Sequence, residues 1–195
     1  LERRQQIIEI CHRHQVPIIE DDPYGQLRYE GKHLPPLLQI DAEFRGNNTT
    51  DYKGNVIYLS TFSKTLAPGL RLAWAIAPKE AILKLVQAKQ GSDLHTSTFN
   101  QMVAYEVCKD NFLDQHVPFI REVYKKRRDL MMELIDEVFP DGVTYVRPEG
   151  GLFLWITTPA EIDTTELLPL AVEQKVAFVP GAPFFANGGG HNTMR

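Results

Sequence analysis

The chain has 195 residues, is 43% hydrophobic and 24% charged, and carries a formal net charge of −4. This composition is that of an ordinary globular protein, with core enough for one large domain or two modest ones, and it excludes a disordered or collagen-like chain. The mild acidity argues against a dedicated nucleic-acid binder, and no apolar run approaches the roughly 18 residues of a membrane span.

The first hundred residues alternate helical patterns with short apolar runs. Residues 25–53, which are polar and contain proline and glycine, predict an irregular stretch. Residues 72–77 are continuously apolar, as in a strand buried on both faces. We predict helices at 2–13, 79–89 and 98–109, and strands at Val16–Glu20, Asn55–Ser60 and Leu72–Ala77. The alternation predicts an α/β layer with a largely parallel sheet.

A long amphipathic helix is predicted from about Pro118 to Phe139, because apolar residues recur along one stripe. The basic run at 125–128 is flanked by acids, which favours a solvated helix face over a nucleic-acid patch. Beyond it we predict strands at Val143–Arg147, Leu152–Thr157 and Val176–Val179, and a helix at 164–174. The first part of the chain alternates helices with short strands, whereas the later part has a long charged helix followed by strands. This difference predicts two domains, residues 1–112 and residues 113–195.

The chain ends predict a piece of a longer protein, and the cysteines predict the compartment in which it lies. Leu1 is not an initiator Met, and Arg195 follows a glycine-rich loop with no closing helix, so we expect a piece of a longer protein. No charged leader with an apolar core follows Leu1. Cys11 and Cys108 are expected to be buried thiols in a reducing compartment, with one disulfide left open, and the predicted location is the cytoplasm.

A first chemical cluster spans Ser60–Arg71 and follows a predicted strand directly. Hydroxyl side chains and backbone N–H groups can hold a phosphate, and Arg71 can add a bidentate contact. Lys64 can act as a covalent amine that forms an imine with an aldehyde. An isolated S-x-x-K is more often a surface lysine in a polar loop, and the spacing of a nucleotide-binding P-loop is absent.

Two further clusters follow predicted strands. Glu20, Asp21 and Asp22 end the first strand, at the edge where α/β sheets bind ligands, and a carboxylate there can pair with a ring nitrogen; helix capping and metal binding are the alternatives. Late in the chain, Arg195 can clamp a carboxylate or be a surface arginine on an edge strand. The six histidines show no metal-binding spacing, so no metal site is expected. Trp74 and Trp155 are expected in the core.

Taken in this order, the clusters resemble fold-type I pyridoxal-phosphate enzymes of the class I/II aminotransferases. The shared pattern is an acid-x-x-Tyr after a strand, then S-[ST]-F-S-K-x-x-x-P-G-x-R, then a late Pro-Gly and an Arg. Within this class, the pattern is similar to that of the branch that holds aminoadipate, kynurenine and aromatic aminotransferases, and to that of the aminotransferase domain of MocR-type regulators. The resemblance covers essentially the whole chain and implies part of the large, mostly parallel-sheet domain plus the smaller α+β C-terminal domain.

The resemblance also implies roles for individual residues. Lys64 would form the Schiff base with pyridoxal 5'-phosphate and move the substrate proton. Asp21, three positions before Tyr24, would pair with the pyridine nitrogen, and Tyr24 would bind the phenolic oxygen. Arg195 would bind the substrate carboxylate. The phosphate would be held by Thr61, Ser63 and Arg71. The N-terminal half of the family, which supplies further cofactor contacts, is not in this sequence.

The resemblance implies an aminotransferase of amino acid metabolism and biosynthesis that moves an amino group between an amino acid and a 2-oxo acid. A homodimer is expected, with no nucleic acid bound through this region and no membrane. Two other functions stay open: the effector domain of a MocR/GntR-type transcriptional regulator, and a related lyase or acyl-transferring synthase. Phe184, Phe185 and Leu152 can face an apolar substrate side chain or belong to the core.

Overall fold

The computed structural model describes residues 1–46 and 52–195, and its internal contacts divide them into two units, Leu1–Arg121 and Glu122–Arg195. The long helix α5, Phe112–Val138, contains both this division and the boundary predicted after residue 112.

The first unit contains most of the predicted elements. Its helices are α1 (Glu2–Arg13), α2 (Leu37–Phe44), α3 (Lys79–Ser92), α4 (Thr98–Cys108) and the beginning of α5, and its strands are β1 (Ile18–Asp21), β2 (Val56–Thr61) and β3 (Ala73–Ile76). The predicted helices and strands of this unit are confirmed, with ends shifted by a few residues.

The sheet of the first unit is only partly parallel. Strand β1 runs parallel to β2, with Ile18 opposite Val56 and Asp21 opposite Leu59, whereas β3 runs antiparallel to β2. The prediction of a largely parallel sheet was therefore wrong for β3, because the chain turns straight back after β2 instead of crossing over through a helix. The prediction that β3 is buried on both faces was also wrong: Ala73, Ala75 and Ile76 are exposed on this edge strand.

The core of the first unit lies where α1 and α2 pack on β2. It is formed by Ile8, Leu38, Ile40, Ala42, Tyr52 and Val56. Helix α2 falls inside the stretch 25–53 that was predicted to be irregular, so that prediction was wrong for residues 37–44. Residues 47–51 of the same stretch lie outside the described part of the chain.

The second unit continues α5 and adds β4 (Thr144–Val146), β5 (Trp155–Thr157), α6 (Thr164–Glu173) and β6 (Thr193–Met194). The three strands form an antiparallel sheet in the order β4-β5-β6. An apolar cluster joins α5 to this sheet through Met132, Ile135, Leu154, Ile156 and Met194. The antiparallel order and the helix agree with an α+β unit.

Two predictions for the later part of the chain need correction. Helix α5 begins at Phe112, so Pro118 lies inside it instead of starting it. Residues 176–179 are not a strand; Val179 exchanges two backbone hydrogen bonds with Arg195 (2.8 and 2.9 Å), and the strand that pairs with β5 is β6.

The expected core positions of the tryptophans and cysteines also differ. Trp74 and Trp155 are half-buried, and Cys11 and Cys108 are free thiols that are half-buried instead of fully buried. Both tryptophans sit on sheets with partly open faces. Within the described ranges, every helix is too short or too polar to cross a membrane.

Candidate active site

The parallel pairing of β1 and β2 brings two of the chemical clusters to one edge of the sheet. Because Asp21 lies opposite Leu59, the segments that leave the carboxyl ends of both strands begin side by side. One leads to Tyr24 and the other to Lys64. The Lys64 Nζ lies 5.6 Å from the centroid of the Tyr24 ring, within the range of a cation–π contact.

The three acids at the end of β1 have three different environments. Glu20 accepts hydrogen bonds from the backbone N–H groups of Leu37 (2.9 Å) and Leu38 (3.2 Å), so it caps α2. Asp22 accepts one from the N–H of Gly25 (2.7 Å). The Asp21 carboxylate is exposed, and within residues 1–46 and 52–195 it has no hydrogen-bond or ion-pair partner. Capping, left open by the sequence, is thus the role of Glu20.

Asp21 is also separated from its neighbours by the pleat of β1. Alternation along a strand puts Asp21 on the face of Ile19, which is 68% exposed, and puts Glu20 on the opposite face. Burial of a carboxylate strengthens its pairing with a ring nitrogen, the role that the resemblance implies for Asp21, whereas the described residues leave this carboxylate exposed. Its open face leaves the carboxylate accessible to a ligand at this edge.

The turn before Lys64 is organised by hydroxyl groups. The Thr61 Oγ1 donates a hydrogen bond to the Leu72 carbonyl (2.8 Å) and accepts one from the N–H of Ser63 (3.0 Å). The Ser63 Oγ lies 3.0 Å from the same Thr61 oxygen. These contacts fix two adjacent hydroxyls directly before Lys64. Among the described residues, no carboxylate pairs with the Lys64 amine.

Arg71 follows the short helix at 68–70 and has a left-handed backbone, with φ 54° and ψ 41°. Few non-glycine residues adopt this conformation, which marks a position held by its surroundings. Its guanidinium donates to the Pro68 carbonyl (3.2 Å), and Asn100 donates to the Leu70 carbonyl (3.0 Å) from α4. In the described structure no hydrogen bond joins the Arg71 side chain to Thr61, Ser63 or Lys64.

Arg195 belongs to the second unit and has an aromatic environment. Its guanidinium carbon lies 4.2 Å from the centroid of the Phe153 ring and 5.1 Å from that of Phe184. The side chain is exposed, and no acceptor in the described residues forms a hydrogen bond with it. An arginine held by ring faces keeps its N–H groups available for a carboxylate.

Sequence reasoning did not assign the contacts of Asp22, whose carboxylate also accepts a hydrogen bond from the Tyr58 hydroxyl (3.3 Å). The alternation of side chains in β1 was an available signal, because it places Glu20 and Asp22 together and Asp21 apart. In the described ranges, no group of three or more His, Cys, Asp or Glu side chains is arranged to hold a metal ion.

The first unit thus has an amine beside a tyrosine ring on one sheet edge, with two hydroxyl side chains directly before that lysine in the chain. The second unit, taken by itself, has an arginine beside two aromatic rings. The first of these defines the class, an α/β site centred on a lysine. The family model of aminotransferases of class I and II matches residues 1–194, and the chain belongs to this family.

The most similar curated proteins include two aminotransferases. The aromatic-amino-acid aminotransferase 1 of Thermococcus litoralis is 46% identical over 193 residues, which are 99% of this chain and 44% of that protein. The 2-aminoadipate transaminase of Thermus thermophilus is 43% identical over 195 residues, all of this chain and 47% of that protein. The chain therefore spans about half the length of these relatives.

Solved structures agree on the fold. The alpha-aminoadipate aminotransferase of Thermus thermophilus, solved with N-(5'-phosphopyridoxyl)-L-leucine, gives a TM-score of 0.89 at 42% identity over 98% of this chain and 47% of that one. The kynurenine aminotransferase of Pyrococcus horikoshii gives 0.88 at 41% identity, over 100% and 46%. The predicted fold class is confirmed: the chain has part of the α/β fold of type I pyridoxal-phosphate-dependent aminotransferases.

Proposed function

We propose that the protein is a pyridoxal-phosphate-dependent aminotransferase, which moves an amino group between an amino acid and a 2-oxo acid. The observation that carries the proposal is the Lys64 amine, which lies 5.6 Å from the Tyr24 ring at the shared edge of β1 and β2 and has no carboxylate partner in the described residues. Family membership adds the reaction class.

The residues at this edge fit pyridoxal phosphate chemically. The Thr61 and Ser63 hydroxyls, 3.0 Å apart, suit a phosphate, and the amine of Lys64 suits an aldehyde. The exposed carboxylate of Asp21 suits a ring nitrogen that has to stay protonated. When bound, the cofactor supplies an electron sink for the bond that breaks at the substrate Cα.

Each residue then has a defined task. Lys64 holds the cofactor covalently and moves the proton at the substrate Cα. Asp21 stabilises the proton on the ring nitrogen by ion pairing, and the Tyr24 hydroxyl binds the phenolic oxygen. Arg71 adds its charge to the phosphate contacts of Thr61 and Ser63. Arg195 orients the substrate through its carboxylate, with the Phe153 and Phe184 rings beside it.

The proposal extends to the domains, the location, the assembly and the metabolic role of the protein. We infer that residues 1–112 are part of the large cofactor-binding domain and that residues 113–195 are part of the small domain. We also infer a cytoplasmic homodimer with a biosynthetic role. Their support is the family to which the chain belongs.

A second candidate is the effector domain of a transcriptional regulator. The regulator NorG of Staphylococcus aureus is 33% identical over 181 residues, 92% of this chain and 38% of that protein. The identities of 46% and 43% to aminotransferases favour the enzyme. Transfer of an amino group at catalytic rates separates the two functions, because an effector domain needs no efficient turnover.

The first test is Lys64→Ala in the full-length protein. Wild type incubated with pyridoxal phosphate should show a visible absorption band of lysine-bound cofactor and transfer amino groups. The variant should lose the band and about 10⁴-fold of the transfer rate, because the covalent amine and proton carrier are both removed. Lys84→Ala, an exposed lysine on α3, is the control and should match wild type. A wild type without the band would contradict the proposal.

A second test addresses Arg195. Arg195→Ala should lower kcat/KM for the amino acid by about 10²- to 10³-fold, because a charge-assisted contact to the carboxylate is lost. Arg195→Lys should recover little, since an ammonium cannot form the bidentate contact. The cofactor band should remain in both variants. Unchanged kcat/KM in Arg195→Ala would remove Arg195 from the site.

A further inference from the structure

The turn that carries Tyr24 is tied to β2 by one carboxylate. Asp22 accepts a hydrogen bond from the N–H of Gly25 (2.7 Å) through Oδ1, which closes the turn 22–25. Through Oδ2 it accepts one from the Tyr58 hydroxyl (3.3 Å) on β2. The two oxygens of one side chain thus join the turn to the neighbouring strand. We call Asp22, Gly25, Tyr58 and Ser60 the Asp22 clasp.

The backbone of Asp22 adds two more links to β2. Its N–H donates to the Leu59 carbonyl (2.9 Å), which extends the ladder beyond β1. Its carbonyl accepts a hydrogen bond from the Ser60 hydroxyl (2.8 Å). Four contacts therefore converge on one residue, and three of them lead to the strand that continues to Lys64.

Gly25 is fitted to this carboxylate. A Cβ built on Gly25 would lie 2.5 Å from Asp22 Oδ1 and would also collide with Oδ2, well inside van der Waals contact. The turn therefore closes only because residue 25 has no side chain. Glycine here is explained by the approach of the carboxylate.

Tyr58 is held as a donor. Burial raises the pKa of its hydroxyl above the ordinary value of 10.0, the nearby Asp22 charge acts in the same direction, and the Ser60 hydroxyl opposes both. A protonated Tyr58 can donate to Asp22 throughout the neutral range. The Tyr58 hydroxyl therefore keeps the proton that it donates to the Asp22 carboxylate.

We propose that Asp22 is a positioning residue, which fixes the Tyr24 ring beside the Lys64 amine without touching either the cofactor or the substrate. The 5.6 Å contact between Lys64 and Tyr24 joins the two segments that the clasp ties together. The catalytic value of this arrangement rests on the proposed function, whereas the placement of the amine can be measured without cofactor.

The experiment compares Asp22→Ala with Asp22→Asn in the full-length apo protein. Asparagine keeps an oxygen for the N–H of Gly25 and turns an NH2 group towards Tyr58, whose hydroxyl oxygen can accept from it, so Asp22→Asn should resemble wild type. Alanine removes both contacts. Amide hydrogen exchange of residues 22–27, read by mass spectrometry, should rise about tenfold in Asp22→Ala, as expected for one lost hydrogen bond.

The second readout is the Lys64 amine itself. Competitive acetylation with acetic anhydride should label Lys64, relative to Lys79 and Lys84 on α3, about threefold faster in Asp22→Ala, because the Tyr24 ring no longer covers the amine. Gly25→Ala should give the same two changes by a different route. Gly91→Ala, where a Cβ meets nothing within 4 Å, and the exposed Asp93→Ala are the controls and should change neither.

The outcomes separate this inference from the proposed function. Faster exchange together with faster labelling of Lys64 supports the clasp, even if wild type shows no cofactor band, in which case only the proposed function fails. Faster exchange with unchanged labelling would show that Asp22 merely closes its own turn and would overturn the inference. Unchanged exchange in both Asp22→Ala and Gly25→Ala would overturn it as well. In loaded protein, Asp22→Ala should also change the visible circular dichroism of the cofactor, and Asp22→Asn should restore it.

Discussion

Helices α2 and α6 begin in opposite ways. Helix α6 has a local cap: Asp163, directly before it, accepts hydrogen bonds from the N–H groups of Thr165 (2.8 Å) and Glu166 (3.4 Å). Helix α2 follows Pro36 and has no local side-chain cap; its acceptor is Glu20, 17 residues before Leu37. At these two helices, therefore, α2 depends on a long-range polar contact, whereas α6 uses a local one.

The cores differ in the charge that they bury. The second unit has an apolar cluster of α5 and the antiparallel sheet, and it buries a cation, Arg128. In the first unit the buried Asp41, 2% exposed, lies beside the apolar cluster and accepts hydrogen bonds from the Tyr52 hydroxyl, the N–H of Asn55 (3.1 Å) and Arg45 Nε (3.0 Å). Burial, and next the bond to Asp41, raise the pKa of Tyr52, so its hydroxyl remains a donor.

The largest loss of stability is expected for Asp41→Ala, which tests how much the buried polar network of the first unit contributes. The variant leaves the Tyr52 hydroxyl, the N–H of Asn55 and Arg45 without their acceptor, so the free energy of unfolding should fall by about 3 kcal/mol. The urea midpoint of the full-length protein measures the loss. Asp93→Ala, which removes an exposed ion pair with Lys89, should change it by less than about 1 kcal/mol. Equal losses would show that the buried network carries no special weight.

A second variant, Glu20→Ala, sharpens the contrast at α2 itself. It removes the acceptor of two N–H groups and the partner of Arg4, at 3.2 Å, so the expected loss is about 2 kcal/mol. Amide exchange of residues 37–40 should rise with it. The control is Glu43→Ala, an exposed acid on the same helix, for which we expect no change in those amides. If residues 37–40 stay protected in Glu20→Ala, the remote cap is not what orders α2.

This contrast also explains which predictions from the sequence were correct. Helix α6 was predicted at 164–174, because its periodicity and boundary are local. Helix α2 was missed, because Pro36 and the polar surroundings indicate a loop and the acid that caps the helix lies in another element. The site shows the same difference between local and long-range signals. Lys64 and Tyr24 belong to motifs that the sequence shows, and their 5.6 Å contact fits those motifs. The partners of Asp22 depend instead on the register of β1 and β2.

The smallest effect is expected at the local cap, and it depends on pH. Two backbone N–H groups, first that of Thr165, lower the pKa of Asp163 below its ordinary value of 3.8, and His191, at 3.4 Å, acts in the same direction. A carboxyl group whose pKa is lower in the folded state stabilises the fold above the ordinary value, and this contribution disappears as the pH falls through the lowered one. Asp163→Ala should therefore lower amide protection in the first turn of α6 about fivefold at neutral pH.

In acid, below the lowered pKa, wild type and Asp163→Ala should converge, because the protonated carboxyl group is a poorer acceptor for the helix N–H groups. Glu161→Ala, an exposed acid two residues earlier, should match wild type at both pH values. A difference between wild type and Asp163→Ala that persists unchanged in acid would mean that the side chain acts by packing instead of by its charge. Convergence in acid would instead mean that the local cap acts through a charge-assisted hydrogen bond from the ionised Asp163 carboxylate.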